Sequence, residues 1–214
     1  MLYQATVATR QSLRHRETAL RASAGDIVAT RGFRAATVKA IAAGANVSAG
    51  TLYNYFRTRE ELLVEVFRVF AAAEFTAARA AVDAAEPLGA TAQLRALVET
   101  FSDRAVRGHR LAWSLLFEPV DPLIESERLE YRRSYSNEVA EIVTRGICDG
   151  ELPDQDANTS GAGIVGAISE AFAGPLSLLD DDAKVADDLI RNILDLCVRA
   201  VGGATSQSES RRQK

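Results

Sequence analysis

The sequence has little cysteine, little histidine and no long apolar run, and each shortage excludes a class of protein. Two cysteines and two histidines among 214 residues are too few for a disulfide framework or a metal cluster. No stretch of about 18 consecutive apolar residues occurs, so no membrane-spanning helix is predicted. Residues 1–16 lack the apolar segment of a secretory signal, and a reducing cytoplasm is the expected compartment.

Motifs that carry catalysis or bind nucleotides are missing as well. His15 and His109 do not stand in a metal-ligand spacing, and the sequence has no GxSxG elbow, P-loop or GxGxxG after a strand. Cys148 and Cys197 have apolar neighbours and are expected to be buried, unreactive thiols. The sequence therefore predicts no enzyme, no cofactor and no metal site.

The residues that are abundant predict a folded, helical protein. Hydrophobic side chains make up 47% of the chain and charged ones 25%, as in globular proteins. A chain of this length buries a full core in one large or two small domains. Apolar residues recur at helical spacing and no segment alternates as a strand would, so the predicted class is all-α. A first helix is predicted over residues 12–31, after a loose arm at residues 1–10.

Charge is divided unevenly along the chain, although the net charge is only −4. Residues 1–60 carry nine basic and three acidic side chains, whereas the remainder carries 16 basic and 26 acidic ones. A basic first part on an acidic body indicates a polyanionic partner for the first part alone. A solvated charged face is the alternative, but it does not predict such segregation.

The stretch TVKAIAAGANVSAGTLYNYF, residues 37–56, has the pattern of two short helices joined by a tight turn. Thr37 and Ser48 are each placed to cap a helix N-terminus. Asn46 stands where the first helix should end, because asparagine tolerates the left-handed conformation common at helix ends. The second helix turns small and hydroxyl-bearing residues outward, which allows close approach to a phosphate-bearing surface. Spacing alone fits a DNA-reading helix-turn-helix and an ordinary helical hairpin about equally.

The order of residues in this stretch decides between the two. The pattern AxxAxVSxGTLYxYF, followed by FRTREEL, closely resembles the tetracycline-repressor (TetR/AcrR) family of bacterial transcription regulators over residues 14–66. Asn46 replaces the glycine that the family usually has, a change that a left-handed turn accepts. Ala49 stands where the family often has lysine, which removes one expected DNA contact.

The resemblance implies a domain organisation and a function. It implies an N-terminal three-helix DNA-binding head at residues 10–58 and a larger helical ligand-binding and dimerisation body at residues 59–202. The polar residues 203–214 are predicted to form a disordered tail. The implied function is that of a homodimeric repressor, released from a palindromic double-stranded DNA operator by a small apolar or aromatic effector. A helical adaptor without specific DNA binding is the alternative, and it leaves the basic first part unexplained.

The expected DNA contacts fall into two groups. The residues expected to contact phosphates are Thr37, Lys39, Tyr53, Tyr55 and Arg59. The residues expected to lie against base edges are Ala49, Gly50, Thr51 and Asn54. Ser48 completes the predicted DNA-binding set. For Arg59 a local ion pair with Glu60 or Glu61 is the alternative.

Two helices, predicted at residues 154–175 and 181–201, are expected to form the dimer interface. Small residues on the first let another helix approach, and the wide apolar face of the second needs more than one neighbour. Asp180–Asp182 are expected to cap the second helix. Ile168 and Ile193 are expected in a four-helix bundle across a two-fold axis. Packing inside one chain's core is the alternative.

The aromatic residues of the body are the candidates for an effector pocket. They are expected around the helix predicted at residues 58–85, the one continuous link between body and head. Aromatic faces with a few hydroxyls bind and orient small molecules in mostly apolar pockets. Glu74 or Glu170 is the candidate polar anchor. Core packing is the alternative for each of the six residues, which are Phe101, Trp113, Phe117, Tyr131, Tyr135 and Phe172.

Overall fold

The computed structural model describes residues 2–178 and 183–202, and these residues form helices and no strand. The all-α class is therefore confirmed. None of the described helices is both long and apolar enough to cross a membrane. The predicted tail and the predicted cap at Asp180–Asp182 lie outside the described residues. In chain order the helices are α1 (Leu2–Arg31), α2 (Val38–Gly44), α3 (Ala49–Leu52), α4 (Arg59–Ala85), a 3-10 turn (Glu86–Leu88), α5 (Ala90–Arg107), α6 (His109–Leu116), α7 (Pro122–Cys148), α8 (Ala157–Ala173), α9 (Pro175–Leu178) and α10 (Ala183–Ala200).

Helix α1 is longer than the sequence pattern predicts, because it begins at Leu2 rather than near Ser12. Residues 2–24 contain neither glycine nor proline, so nothing in this segment interrupts helix propagation. The helix ends before Gly32, whose φ of 84° lies in the left-handed region that glycine adopts without strain.

Helices α1, α2 and α3 pack with the first half of α4 around one buried cluster, called the head cluster. Its members include Leu20, Phe33 and Ile41, which are almost inaccessible to solvent. Leu115 of α6 and Ile124 of α7 also belong to this cluster. Head and body therefore share a buried core where they meet, although the predicted boundary at residue 58 coincides with the start of α4.

The body packs α5, α7, α8 and α10 against the second half of α4 around another buried cluster. Helices α7 and α8 come close together at Gly161, where an added Cβ would collide with the carbonyl oxygen of Ser136. Glycine is required there because only a residue without a side chain permits this approach. The small-residue stripe of α8 thus begins with a contact inside the chain.

The boundaries of α8 differ from the prediction of a helix over 154–175. The helix begins at Ala157, because the Asp156 carboxylate accepts a hydrogen bond from the Thr159 amide (2.7 Å) and caps the N-terminus. At its other end the chain starts the short helix α9 at Pro175.

The solvent exposure of four residues tests their predicted places in the core or at an interface. Ile168 and Ile193, expected at the dimer interface, are 4% and 3% exposed and lie in the core of their own chain. That assignment is wrong, because each side chain is already covered within the monomer. Cys197 is buried as expected, and burial raises the pKa of its thiol to about 11. Cys148 is exposed at the end of α7, contrary to expectation.

Candidate nucleic-acid interface and internal cavity

The turn between α2 and α3 is built on the local interactions that its sequence predicts. The Thr37 hydroxyl accepts a hydrogen bond from the Ala40 amide (3.2 Å), and the Ser48 hydroxyl accepts one from the Thr51 amide (3.2 Å). Asn46 has a φ of 54°, which confirms the left-handed position at the end of α2. Two capped helices around such a turn form a helix-turn-helix.

Helix α3 is shorter than predicted, because its regular part covers Ala49–Leu52 rather than extending to Phe56. Beyond it the amides of Asn54 and Tyr55 donate to the carbonyls of Thr51 and Leu52 (3.1 and 3.0 Å). Hydrogen bonds between residues three positions apart, as in a 3-10 helix, tighten the last turn of a helix. Phe56 nevertheless packs in the head cluster together with Leu52, as the spacing of four residues between them predicts.

Most of the predicted DNA-binding residues are exposed on α2, α3 and their turns, here called the reading surface. Tyr53 is 56% exposed, and within the described residues neither its hydroxyl nor the Asn54 amide side chain has a hydrogen-bond partner. Thr51 and Tyr55 are half-buried. The exposed members are Thr37, Lys39, Ser48, Ala49, Gly50, Tyr53 and Asn54.

Arg59 differs from the other predicted DNA-binding residues, because its guanidinium is used inside the head. Its Nε donates to the carbonyl of Ala36 (2.6 Å) and its Nη2 to the carbonyl of Phe33 (2.5 Å). Its Nη1 lies 3.1 Å from a carboxylate oxygen of Glu60, as the local alternative expected. Arg59 therefore holds the turn that leads into α2.

A cavity of about 90 Å³ lies in the body between α4, α5, α6, α7 and α8. Phe67, Ala71 and Leu115 contribute to its wall and also to the head cluster. The cavity therefore adjoins the packing that supports the reading surface. Its remaining lining is mostly apolar and comprises Glu74, Leu97, Phe101, Arg104, Ala105, Gly108, Leu111, Ala112, Leu116, Arg128, Tyr131, Arg132, Tyr135, Val165, Ile168 and Ser169.

Half of the six predicted pocket aromatics line this cavity. The three that do so are Phe101, Tyr131 and Tyr135. Phe172 is fully buried and packs edge-on against Phe101, with ring centroids 6.2 Å apart. The remaining two rings, Trp113 and Phe117, pack against each other at 5.3 Å. Contrary to the prediction, Trp113, Phe117 and Phe172 do not line this cavity and pack in or against the buried cluster of the body.

The two tyrosines of the cavity differ in their hydrogen bonding. The Tyr131 hydroxyl accepts a hydrogen bond from the Phe75 amide of α4 (2.9 Å). The Tyr135 hydroxyl is buried and has no partner among the described residues. Burial raises the pKa of each phenol well above the usual value for tyrosine, so both are protonated at neutral pH.

Charged groups border the apolar lining. Arg104 makes two hydrogen bonds to the Glu74 carboxylate, at 2.5 and 2.9 Å, so Glu74 stands at the cavity as one candidate anchor. Glu170, the other candidate, is exposed and does not line it. Arg128 is buried, and its Nε donates to the carbonyl of Leu115 (2.7 Å). Burial lowers the pKa of Arg128 below its usual value.

The sequence did not predict the roles of Arg104 and Arg128 at the cavity, or that of Glu118, whose carboxylate accepts hydrogen bonds from the backbone amides of Phe33 and Arg34. Arg128 had a readable signal, because it shares a helical stripe with Ile124, Tyr131 and Tyr135 and therefore faces inward. Arg104 and Glu118 had none, since their partners lie far away along the chain.

Comparisons with known proteins agree with this geometry. The family model for bacterial regulatory proteins of the tetR family matches residues 20–66. The repressor KstR2 of Rhodococcus jostii (strain RHA1) is 33% identical over 141 residues, which cover 64% of this chain and 68% of that protein. The FadR regulator of Bacillus subtilis, solved with stearoyl-CoA, has a TM-score of 0.70 at 22% identity and covers 88% of this chain and 100% of its own. RolR, solved with resorcinol, has a TM-score of 0.67 at 19% identity, covering 95% and 94%.

A capped helix-turn-helix on an all-helical body is the architecture of a DNA-binding transcriptional regulator. The matching relatives include the transcriptional repressor KstR2. The chain belongs to the TetR family of bacterial regulatory proteins.

Proposed function

We propose that the chain is a homodimeric repressor that leaves a palindromic operator when a small apolar effector enters the cavity. The observation that carries this proposal is the shared wall between cavity and head. Phe67, Ala71 and Leu115 line the cavity and pack in the head cluster, so a ligand that displaces them also displaces the support of the reading surface.

The reading surface supplies the DNA contacts in this proposal. Ala49 and Gly50 allow the start of α3 to approach base edges, and Asn54 offers a donor and an acceptor to adenine. Thr37, Lys39 and Tyr53 contact phosphates, which fixes the register of the head on the duplex. Arg59 is left out, because its guanidinium is bound to carbonyl groups of the head.

The dimer forms through the outward faces of α8 and α10. On α8 an added Cβ at Gly163 or Gly166 would meet no atom within 4 Å, so this face has room for a second helix. On α10 Leu196 is 46% exposed. A two-fold axis through these faces would place two α3 helices in successive major grooves, roughly 34 Å apart.

The effector acts by shifting an equilibrium between two conformers. A volume of about 90 Å³ is below the roughly 300 Å³ at which typical ligand pockets begin. An effector therefore binds a conformer with a wider cavity, and its preference for that conformer sets the loss of DNA affinity.

The experiment is a DNA-binding titration of the purified chain with a fragment that the chain selects from a random pool. We expect affinity that falls steeply with salt, because bound phosphates release counterions, and a selected sequence with two-fold symmetry. DNA binding that is absent at every salt concentration would contradict the proposal and favour the helical adaptor. An asymmetric selected site would contradict the two-fold dimer alone.

A further inference from the structure

Tyr135 lines the cavity, and its buried hydroxyl is a hydrogen-bonding group that no described residue uses. The residue is 7% exposed, and the hydroxyl has no partner within the described residues. A buried polar group without a partner destabilises the protein that contains it. In a conformer with a wider cavity, this hydroxyl is free to bind a ligand atom.

The ring that carries this hydroxyl is held in place from three sides. Its centroid lies 5.0 Å from that of Phe75, 5.5 Å from that of Phe101 and 5.7 Å from that of Tyr131, each in an edge-to-face contact. Tight packing of this kind fixes side-chain rotamers. The hydroxyl therefore cannot swing to another partner inside the protein.

The charges near this hydroxyl favour a neutral ligand group. Glu74 and Arg104 lie close enough to act on the Tyr135 phenol, but they are joined by two hydrogen bonds and balance each other. A protonated phenol donates its hydrogen to an acceptor oxygen. A carboxylate buried here would need a cation that is not already paired. Arg104 is paired with Glu74 and Arg128 with Glu125, whereas Arg132, which also lines the cavity, is exposed.

This inference rests on the proposed function. We propose that Tyr135 selects effectors in which an apolar skeleton carries a neutral acceptor oxygen, either a ketone or a hydroxyl group. The Tyr131 hydroxyl differs because its oxygen already accepts a hydrogen bond from the Phe75 amide, whereas the Tyr135 hydroxyl makes no hydrogen bond to any described residue. A site built to donate a hydrogen bond discriminates strongly against an analogue that lacks the acceptor.

The test uses pairs of compounds that share a carbon skeleton and differ in one oxygen. The probes are 1-indanone with indane and cyclohexanone with cyclohexane, titrated calorimetrically into the full chain. We expect the ketones to bind about tenfold more tightly than the hydrocarbons, which is the net effect of one hydrogen bond. Tyr135→Phe removes this preference without weakening hydrocarbon binding. An equal response of the wild type to both members of every pair, including no response, overturns the proposal.

A ligand-free measurement accompanies this test. Tyr135→Phe should raise the melting temperature of the ligand-free protein, because it removes a buried hydroxyl that has no partner. Tyr131→Phe is the matched control and should lower it, because it removes the hydrogen bond that the Tyr131 hydroxyl accepts from the Phe75 amide. A lower melting temperature for Tyr135→Phe overturns the assignment. If the same variants still bind DNA in a salt-dependent way, the proposed function survives that failure.

Glu118 carries an independent inference about the junction of head and body. It follows α6, is 7% exposed, and accepts hydrogen bonds from the amides of Phe33 (2.9 Å) and Arg34 (2.8 Å) in the turn before α2. Helix α4 is the continuous link between body and head, but the two are also joined through this side chain. The carboxylate forms a second connection, which crosses between segments far apart in the sequence.

The backbone of Glu118 is held from the cavity side. Its carbonyl accepts a hydrogen bond from Nη2 of Arg128 (2.8 Å), whose Nε donates to the carbonyl of Leu115 (2.7 Å). Arg128 and Leu115 both line the cavity. One residue thus joins the cavity wall to the backbone of the DNA-binding head.

We infer that Glu118 is a positioning residue that transmits movement of the cavity wall to the head. The test is a double-mutant cycle of Glu118→Gln and Arg128→Lys, with affinity for the selected DNA fragment as the readout. Arg128→Lys should weaken DNA binding in the wild type and have little further effect in Glu118→Gln, because the connection is already broken. Additive effects overturn the inference.

Arg59→Lys is the control for this cycle. It disturbs the same turn through the carbonyls of Phe33 and Ala36 but has no contact with the cavity, so its effect should add to that of Arg128→Lys. Amide hydrogen exchange gives a readout that does not require DNA. Glu118→Gln should speed exchange at Phe33 and Arg34 and leave Asn46 unchanged, and unchanged exchange at all three also overturns the inference.

Discussion

At the scale of single residues, Tyr53 and Asn54 offer a matched pair of variants on the reading surface. Both side chains are exposed, and within the described residues neither has a hydrogen-bond partner. Tyr53→Ala should weaken binding to every DNA sequence alike, because a phosphate contact carries no sequence information. Asn54→Ala should cost about 1–3 kcal/mol at a single base position.

The measurement is a titration of each variant against the selected fragment and against single-base substitutions of it. The roles are reversed if Tyr53→Ala changes sequence preference while Asn54→Ala weakens all fragments equally. Stability should stay near that of the wild type for both, since neither side chain contributes to the head cluster.

Residues that act through their sequence neighbours could be predicted, whereas those that act across the fold could not. Thr37, Asn46 and Ser48 each make contacts within a few positions, and the sequence predicted their conformations. Tyr131 and Tyr135 were predicted as a pair, but the sequence could not show that only Tyr135 lacks a partner. That difference depends on Phe75, a residue of another helix.

At the scale of secondary-structure elements, α5 is capped by a residue from elsewhere in the chain. Gly89 precedes the helix and supplies no side-chain cap. Glu151, from the loop between α7 and α8, accepts hydrogen bonds from the amides of Ala90 (2.6 Å) and Thr91 (2.8 Å). Burial alone would raise the pKa of Glu151, but hydrogen bonds from Thr91 and Ala90 outweigh it and lower the pKa below its usual value.

This cap predicts a pH-dependent contribution to stability. A carboxylate whose pKa is lowered by folding stabilises the protein above its unfolded pKa, about 4.3 for glutamate, and loses that contribution as pH falls through the folded value. Glu151→Gln should lower the free energy of unfolding by about 1 kcal/mol at pH 7. The difference from the wild type should vanish as the pH falls below about 4.

Urea denaturation between neutral and acidic pH measures this difference. Glu130→Gln is the control, because Glu130 is exposed and pairs only with Arg133 within the described part of its helix. A Glu151→Gln effect that persists unchanged at acidic pH would show that the charge does not matter at this cap.

The positions of helices were easier to predict than their ends. The ends of α1 and α2 follow from Gly32 and Asn46, whose backbone conformations are local properties. The start of α8 was placed too early, because Pro153 and Asp156 both resemble helix starts. The hydrogen bond from Thr159 to Asp156 decides between them, and it is visible only in the structure.

At the scale of the whole molecule, the glycines of α8 test the proposed dimer. Gly166→Leu should separate the dimer into folded monomers, because the added side chain has open space in one chain but not against a partner helix. Gly161→Ala should instead destabilise each monomer by about 1–3 kcal/mol, since its Cβ would collide with the Ser136 carbonyl.

Sedimentation equilibrium and circular dichroism distinguish these outcomes. A Gly166→Leu variant that remains a dimer with normal helix content would place the interface on another face. The sequence pointed to the same two helices that the proposed interface uses, but to residues on their inward faces. Ile168 of α8 and Ile193 of α10 are large apolar residues, and both are already buried within a single chain.

The shared core at the junction also limits how freely this regulator can be recombined with others. Leu115 and Ile124, which lie outside the head in sequence, complete the head cluster. The Glu118 carboxylate binds the turn between α1 and α2. A chimera made by cutting at residue 58 and grafting the head onto a foreign sensor would lose all three contributions. A working graft would have to carry the start of α4 together with residues 115–124, so the modular unit for engineering is discontinuous in sequence.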